Sequence, residues 1–248
     1  MDTYGLIGKN LSHSFSPDYF KKKFQNLGIK ADYKIFELND ITEFPKLIAN
    51  NTDIKGLNVT IPYKRSVSQF MDLVDETVKR TGSINTVKIQ HKHNKAILSA
   101  YNTDVIGLEE TIAPILNKKE NIKALILGSG GSANSVAYVL QILGIYFSIV
   151  SRNPIGRSQT HYSMLNKEII EQNFLIINTT PVGMYPDINS FPQIPYEFIT
   201  DKHILYDLIY NPSDTLFLQK GREHGATCIN GLKMLEIQAD AAWSIWNK

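Results

Sequence analysis

The sequence has almost no cysteine, since Cys228 is the only one in 248 residues. The chain can therefore form no internal disulfide and no thiolate cluster for zinc. We expect Cys228 to be a small, buried, apolar side chain. No apolar run approaches the roughly 18 to 20 residues that a membrane helix needs, and the acidic start MDTYGLIGKN lacks the basic segment of a signal peptide. These absences predict a soluble, cytoplasmic, globular protein.

An excess of charge of either sign is also lacking. Lys and Arg number 26 and Asp and Glu number 24, so the formal net charge is +2. There is no broad basic field for nucleic acid or an anionic membrane, which favours a small-molecule partner and predicts no nucleic-acid and no membrane partner. His91 and His93 in HKHN are two apart without carboxylate or thiolate ligands nearby, so we interpret them as loop residues and predict no metal site.

The pattern that is present is β/α alternation. Short apolar runs such as TYGLIG, ADYKIFEL and IKGLNVTI alternate with amphipathic segments such as SPDYFKKKFQNLG. INTVKIQ and KAILSAY flank the polar HKHN and predict a hairpin whose end carries NTD at 102–104. From Lys123, KALILGSGGSANSVAYVLQILGIYFSIVSRN predicts a complete βαβ unit.

These segments predict an α/β fold with two domains and a cleft between them. The first is an N-terminal α/β substrate-binding domain, made of 1–104 and 231–248. The second, 105–230, is a doubly wound, Rossmann-type dinucleotide-binding domain. The last segment, GLKMLEIQADAAWSIW, predicts a helix that returns to the first domain, with Trp243 and Trp246 as packing residues.

A glycine turn lies inside the βαβ unit. GSGGSA at 128–133 fits the pattern G-x-G-x-x-A, with Gly128, Gly130 and Ala133 at its small positions. Such a turn lets a pyrophosphate approach the N–H groups of the following helix. No Asp or Glu occurs from 121 to 167, whereas Arg152 and Arg157 follow the second strand. Guanidinium groups there suit a 2′-phosphate, so we predict NADP(H) rather than NAD(H) as cofactor.

A dehydrogenase also needs a group that exchanges a proton with the reacting oxygen. Lys64, which ends NVTIPYK, and Asp104, which ends YNTD, each follow a predicted strand and lie beside the predicted cleft. Taken singly, either residue is more typical of a charged surface.

Nine motifs in order give a more specific indication. They are SHSFSP, NVTIPYK, GSINT, NTD, GSGGSA, SRN, NTTPVGM, DLIYNPSDT and GLKMLEIQA. Over nearly the whole chain this series resembles the shikimate dehydrogenase family. The resemblance implies reversible NADPH-dependent reduction of 3-dehydroshikimate to shikimate, a step of aromatic amino-acid (chorismate) biosynthesis.

The resemblance also implies residue roles. Lys64 and Asp104 correspond to the catalytic pair, and the family leaves open which of them carries the proton. The hydroxyls of Ser14 and Ser16 would bind the substrate carboxylate, with Tyr210 nearby. The ring hydroxyls would be held by Thr60, Asn85 and Gln238. The positions implied for the cofactor are Gly128, Ser129, Gly130, Gly131, Ser132, Ala133, Ser151, Arg152, Asn153, Arg157, Thr179, Leu208 and Gly231.

The chain departs from the family pattern in three places. Where the family often has GAxNT, GxNTD and NRT, this chain has Ser83, Ala100 and Asn153. None of these changes removes an implied catalytic group.

Three other functions fit parts of the pattern. A relative acting on quinate as well as shikimate often uses NAD, which the acid-free segment 121–167 disfavours. An NADP-binding regulatory module would need neither Lys64 nor Asp104. A methylene-tetrahydrofolate-type dehydrogenase would require aromatic residues for its pterin in place of SHSFSP. The resemblance is compatible with a monomer or a homodimer.

Overall fold

The computed structural model describes residues 1–11, 14–92, 95–116, 122–156 and 159–248. The chain divides into two compact units, one formed by Met1–Thr103 with Gln238–Lys248 and the other by Asp104–Ile237. None of the described helices is both long and apolar enough to cross a bilayer.

The first unit is a mixed α/β layer. Its strands are β1 (Asp2–Gly8), β2 (Ala31–Glu37), β3 (Ile54–Val59), β4 (Leu73–Val74), β5 (Thr86–Lys92) and β6 (Lys95–Tyr101). Its helices within the first hundred residues are α1 (Ser16–Leu27), α2 (Phe44–Asn50) and α3 (Glu76–Thr81). The strand order is β2-β1-β3-β5-β6-β4, in which β1 is parallel to β2 and β3, and β5 is antiparallel to β3 and β6. The predicted hairpin is confirmed as β5–β6.

The second unit is a parallel sheet with helices. Its strands are β7 (Lys123–Leu127), β8 (Tyr146–Ser151), β9 (Gln159–His161), β10 (Leu175–Asn178), β11 (Ile204–Asp207) and β12 (Thr227–Ile229). Its helices are α4 (Asp104–Leu116), α5 (Gly131–Ile142), α6 (Lys167–Gln172) and α7 (Leu216–Glu223). The order β12-β11-β10-β7-β8-β9 is doubly wound, because the chain runs outward from β7 to β9 and then outward again from β10 to β12. The predicted Rossmann-type fold is confirmed.

Continuous apolar strands explain the core of the second unit. The residues of β10 and β11 are all buried, as expected for parallel strands covered on both faces. Cys228 was expected to be buried but is only partly so, because its strand, β12, is the last in the sheet order. Its thiol donates to the Leu218 carbonyl (3.2 Å), and burial raises its pKa.

The last helix, α8 (Leu232–Trp246), contributes to both units. Met234 packs among the apolar side chains of the second unit, whereas Ala239, Ala242 and Trp246 pack with the aromatic cluster of the first. The division by compactness thus falls inside the helix, after residue 237, whereas the sequence prediction puts the boundary at 231. Packing of the two tryptophans is confirmed, since Trp243 and Trp246 both contact the ring of Tyr4.

Candidate active site

Lys64 lies in a turn after β3 whose backbone is fixed on both sides. Thr60 donates its N–H to the Ile7 carbonyl (3.0 Å), and its own carbonyl accepts from the N–H of Tyr63 (2.9 Å). The Lys64 carbonyl accepts from the N–H of Ile84 (2.7 Å). The side chains of Thr60 and Lys64 are partly exposed. A held backbone with accessible side chains suits residues that meet a ligand.

A buried cluster of amides and hydroxyls follows at the start of β5. The Asn85 Oδ1 accepts from the Thr103 N–H (2.7 Å), and Nδ2 donates to Thr103 Oγ1 (2.9 Å) and to Gln238 Oε1 (3.2 Å). The hydroxyls of Thr86 and Thr103 lie 3.1 Å apart. All four side chains are buried. Residues from β5, the end of β6 and α8 are therefore joined in one polar network.

The backbone determines how these amides are oriented. The Thr103 N–H can only donate, so the Asn85 atom that faces it is the oxygen. Gln238 Oε1 then accepts from Asn85 Nδ2 and lies 3.3 Å from Thr103 Oγ1. The oxygen of Gln238 therefore faces the cluster, and its amide nitrogen carries donors of the kind that suit the oxygen of a hydroxyl or carbonyl group.

Each residue of the NTD motif has a distinct place. Asn102 donates to the Thr81 hydroxyl (3.0 Å) and the Ser83 carbonyl (2.9 Å), which fixes the turn. Thr103 joins the cluster around Asn85, and Asp104 is the first residue of α4. The amino end of this 13-residue helix favours a carboxylate. Asp104 is 5% exposed and opens the second unit, whereas Lys64 belongs to the first.

The serines of SHSFSP lie at the start of α1. Ser16 is the first residue of the helix, and its side chain lies beside the hydroxyl of Tyr33, which donates to Asn58 Oδ1 (2.8 Å). Asn58 Nδ2 donates to the Asn85 carbonyl (3.4 Å), so Tyr33 is linked to the buried cluster. Burial raises the pKa of Tyr33, which keeps this hydroxyl protonated. Ser14 is partly exposed. The buried amide of Asn58 thus bonds within the protein.

In the second unit, the glycine turn follows β7. Gly128 has φ +110°, a region that favours glycine, and a Cβ there would lie 2.7 Å from Thr179 Oγ1. That hydroxyl donates to the Leu127 carbonyl (2.7 Å), while the Gly128 N–H donates to the Val150 carbonyl (2.8 Å). Gly128 therefore permits β7, β8 and β10 to meet closely at the turn.

The turn ends at the amino end of α5, which has the features of an anion site. Gly130 is the residue before the helix, no side chain caps the helix, and its first turn has no acidic residue. A Cβ on Gly130 would meet nothing within 4 Å. Gly131 and Ser132 begin the helix and are partly exposed, while Ala133 is buried in the core. Open space beside helix N–H groups fits the pyrophosphate of a dinucleotide.

The end of β8 is tied to the glycine turn. Ser151 Oγ lies 3.2 Å from Ser129 Oγ and accepts from the Asn153 N–H (3.2 Å). The side chains of Arg152 and Asn153 are exposed. Burial raises the pKa of Tyr162 to about 12, and the charge of Arg152 opposes that rise. Arg152 is thus an exposed cation directly after the serine that contacts the glycine turn.

Loops after β10, β11 and β12 carry the other predicted positions. The Leu208 N–H donates to the Asn178 carbonyl (3.1 Å), and the Gly231 N–H donates to the Ile209 carbonyl (3.0 Å). Tyr210, in the same loop as Leu208, is partly exposed. Backbone hydrogen bonds therefore connect the segments that hold Leu208, Gly231 and Thr179. Tyr210 belongs to the second unit, whereas the other predicted substrate residues belong to the first.

Some predictions fall outside the described residues, namely those on His93 and Arg157. Among the described residues, no group of three or more His, Cys, Asp or Glu side chains could hold a metal ion.

The sequence prediction missed the residues that hold others in place. Thr86 ends GSINT, Thr103 lies in NTD and Asp207 begins DLIYNPSDT, but all three bond to other side chains of the protein. The available signal was a polar residue adjoining a run that predicts a buried strand. All three side chains are fully buried.

Comparisons with known proteins show the family of the chain. The family model of the shikimate dehydrogenase substrate binding domain matches residues 6–87. Shikimate dehydrogenase (NADP(+)) of Methanococcus vannielii is 36% identical over 262 residues, which cover 98% of this chain and 90% of that protein.

Solved structures are similar over both units. Shikimate dehydrogenase 1 of Peptoclostridium difficile has a TM-score of 0.85 and 34% identity, and the match covers 100% of this chain and 92% of that one. Shikimate 5-dehydrogenase of Thermus thermophilus, in complex with NADP(H) and shikimate, has a TM-score of 0.84 and 26% identity, with coverage of 99% and 93%.

Proposed function

The chain belongs to the shikimate dehydrogenase family, and we propose that Lys64 and Asp104 are the catalytic residues of its reaction. That reaction is the reversible NADPH-dependent reduction of 3-dehydroshikimate to shikimate, in the biosynthesis of chorismate and the aromatic amino acids. The protein is an NADP-dependent oxidoreductase that acts on a CH–OH group.

The buried cluster of Asn85, Thr103 and Gln238 is the observation that carries the substrate assignment. A small acid with several hydroxyls offers many hydrogen-bonding positions and little apolar area, so oriented amides and hydroxyls suit it. The oxygen of Gln238 faces Asn85 and Thr103, and its amide N–H groups are proposed as donors to a ring oxygen. We assign Asn85, Gln238 and Thr60 to the ring hydroxyls.

The carboxylate end of the substrate is assigned to serine hydroxyls. Ser16 begins α1 beside Tyr33, and Ser14 precedes it by two residues. Hydroxyl groups at the start of a helix donate well to a carboxylate, and α1 runs for 12 residues behind them. Tyr210 is proposed as an additional donor to this carboxylate.

Proton transfer is assigned to Lys64. In the reduction, its ammonium group would donate a proton to the carbonyl oxygen as the carbon gains hydride, and in reverse its amine would take the hydroxyl proton. Asp104 would hold the ammonium group or the reacting hydroxyl. Exchange of these two roles is the alternative that the variants below distinguish.

The cofactor assignment rests on the fit of the second unit. NADPH, when bound, supplies the hydride. The N–H groups at the start of α5 would hold its pyrophosphate, with Gly130 leaving the approach open. Arg152, with Arg157 as predicted from the sequence, would pair with the 2′-phosphate. The remaining contacts are proposed for Ser129, Ser151, Asn153, Thr179, Leu208 and Gly231.

Steady-state kinetics test the role of Lys64. Lys64→Ala should lower kcat by roughly 10²- to 10⁴-fold, as expected for loss of a general acid, with an unchanged Kd for NADPH. Arg65→Ala removes the neighbouring exposed cation and should leave kcat near the wild-type value. Near-normal turnover in Lys64→Ala, together with loss of turnover in Asp104→Asn, would show that Asp104 is the residue that transfers the proton.

A separate measurement tests Arg152. Arg152→Ala should raise the KM for NADP far more than the KM for NAD, because only NADP has the 2′-phosphate. Lys167→Ala, which removes an exposed cation of the same unit, is the matched control. Equal effects of Arg152→Ala on both cofactors would refute the phosphate contact. Quinate in place of shikimate would reveal the broader activity found in some relatives.

Two further proposals concern the cellular compartment and the oligomeric state of the enzyme. We expect it in the cytoplasm, and as a monomer or a homodimer. Cell fractionation and light scattering after size-exclusion chromatography check these points.

A further inference from the structure

A buried carboxylate that the proposed mechanism does not use lies at the end of β11. Asp207 is fully buried, and each of its oxygens accepts hydrogen bonds. Oδ1 accepts from Asn178 Nδ2 (3.0 Å) and from the Ile209 N–H (3.1 Å), while Oδ2 accepts from Thr215 Oγ1 (2.6 Å). One side chain thus joins the ends of two neighbouring strands to Thr215, the residue that caps α7.

The contact with Thr215 closes a loop. Asp207 and Thr215 are the first and last residues of DLIYNPSDT, so their bond clasps the segment that presents Leu208 and Tyr210. Thr215 is also the cap of α7, where its side chain accepts from the Leu218 N–H. The loop is therefore anchored at both ends within the protein.

The contact with Asn178 extends the network to the neighbouring loop. Asn178 Oδ1 accepts from the N–H and the hydroxyl of Thr180 (3.0 and 2.6 Å). Thr179, which lies between them, packs against Gly128 of the glycine turn. Asp207 therefore orients Asn178, and Asn178 fixes the backbone on either side of Thr179.

Strand order tells which part of the cofactor these loops would meet. The strand order reverses at β7: the strands that follow it directly in the chain, β8 and β9, lie on one side, and β10 and β11 lie on the other. A dinucleotide lies across such a switch point with one nucleotide on each side. Since Arg152 at the end of β8 is assigned to the adenosine 2′-phosphate, the nicotinamide half falls at the ends of β10 and β11.

We propose that Asp207 is a positioning residue for the nicotinamide half of the cofactor, acting through the loops that hold Thr179, Leu208 and Tyr210. This inference rests on the proposed function. Asp207 does not touch the cofactor itself, since its carboxylate is enclosed by Asn178, Ile209 and Thr215.

Two ligands separate positioning from general damage. NADPH spans both halves of the site, whereas adenosine 2′,5′-bisphosphate occupies only the half at β8. Asp207→Ala should raise the Kd for NADPH at least about tenfold, the scale of a lost charge-assisted hydrogen bond, and leave the Kd for the bisphosphate unchanged. Asp207→Asn should restore most of the affinity, because its amide can still face Thr215, whose oxygen can accept.

Control variants keep the test decisive. Asp214→Ala removes an exposed carboxylate of the same loop, paired with Arg222, and should leave both Kd values unchanged. If Asp207→Ala does not fold, Thr215→Val and Thr215→Ser test the same contact. Thr215→Val removes the hydroxyl that donates to Asp207 and should lose NADPH affinity, whereas Thr215→Ser keeps a hydroxyl and should retain it.

The outcomes are distinct. Unchanged NADPH affinity in Asp207→Ala and Thr215→Val overturns the inference, and so does an equal loss for both ligands. If the wild-type protein binds neither ligand, the proposed function itself fails.

Discussion

At the scale of single residues, the first unit has a buried hydroxyl that forms no hydrogen bond among the described residues. Ser83 Oγ is completely buried and has no partner there, although the Ser83 backbone bonds to Thr81 and Asn102. Leaving a buried hydroxyl unsatisfied costs about 1–3 kcal/mol. The family pattern noted from the sequence often has alanine at this position.

Ser83→Ala should therefore stabilise the protein. We expect the free energy of unfolding to rise by about 1 kcal/mol, because the change removes an unpartnered polar group and keeps both backbone bonds. Chemical denaturation monitored by circular dichroism measures the difference. The matched control is Thr81→Val, which removes a buried hydroxyl that accepts from Asn102, and it should lower stability. A loss of stability in Ser83→Ala would show that the hydroxyl has a partner in solution.

Asp207 should make stability depend on pH in an unusual direction. Burial raises its pKa from 3.8 to about 6, against the lowering effect of its hydrogen bonds. Because the folded pKa exceeds the unfolded one, the stabilisation is fully present below pH 3.8 and is lost as pH rises through 6. The titratable group that interacts with it is Tyr196, whose pKa burial and Asp207 both raise, so Tyr196 stays protonated throughout.

Asp207→Asn is the reference that does not titrate. The free energy of unfolding of the wild type minus that of Asp207→Asn should fall between pH 4 and 7, by up to about 3 kcal/mol. Denaturant titrations at several pH values give this difference. A constant difference across the range would contradict the raised pKa.

At the scale of elements, the glycine turn is explained by two different needs. Gly128 is required by the protein, since its φ is positive and Thr179 leaves no room for a side chain. Gly130 has an ordinary backbone conformation, φ −84°, and open space around it. We therefore attribute the glycine at 130 to the ligand, whose pyrophosphate must approach the backbone.

Gly130→Ala tests that distinction. The variant should keep the wild-type melting temperature within about 1 °C, because nothing in the protein opposes a Cβ. It should raise the Kd for NADPH by about tenfold or more, since the methyl group would occupy the approach of the pyrophosphate. Gly128→Ala, by contrast, should be unstable. Unchanged NADPH affinity in Gly130→Ala would place the pyrophosphate elsewhere.

The elements that could be predicted from the sequence are those with strong local signals. The helix in SPDYFKKKFQNLG is observed as Ser16–Leu27, and the βαβ unit as β7, α5 and β8. Strands β4, β9 and β12 were not predicted, because two or three residues carry no readable periodicity and depend on pairing with a neighbouring strand. The orientation of the amides around Asn85 was equally unpredictable, since it follows from contacts between residues as far apart as 85 and 238.

At the scale of the whole molecule, two compact units with separate tasks account for the sequence pattern. The first contributes Lys64 and the cluster of Asn85, Thr103 and Gln238, and the second contributes the cofactor turn. The relatives match the chain over both units and so show its family, whereas the roles of the individual residues are proposals. The helix α8 contributes to both units, so its boundary could not be placed from composition, and only packing shows that Met234 and Ala239 belong to different cores.

The protein interconverts shikimate and 3-dehydroshikimate with NADP, and Lys64 and Asp104 are the residues proposed to act on the substrate. The most direct measurement mixes purified protein with shikimate and NADP and follows the absorbance of reduced nicotinamide, in parallel with the Lys64→Ala and Arg65→Ala variants. We predict NADPH formation by the wild type and Arg65→Ala, and almost none by Lys64→Ala. Absence of NADPH formation by the folded wild type, or full activity in Lys64→Ala, would contradict the account.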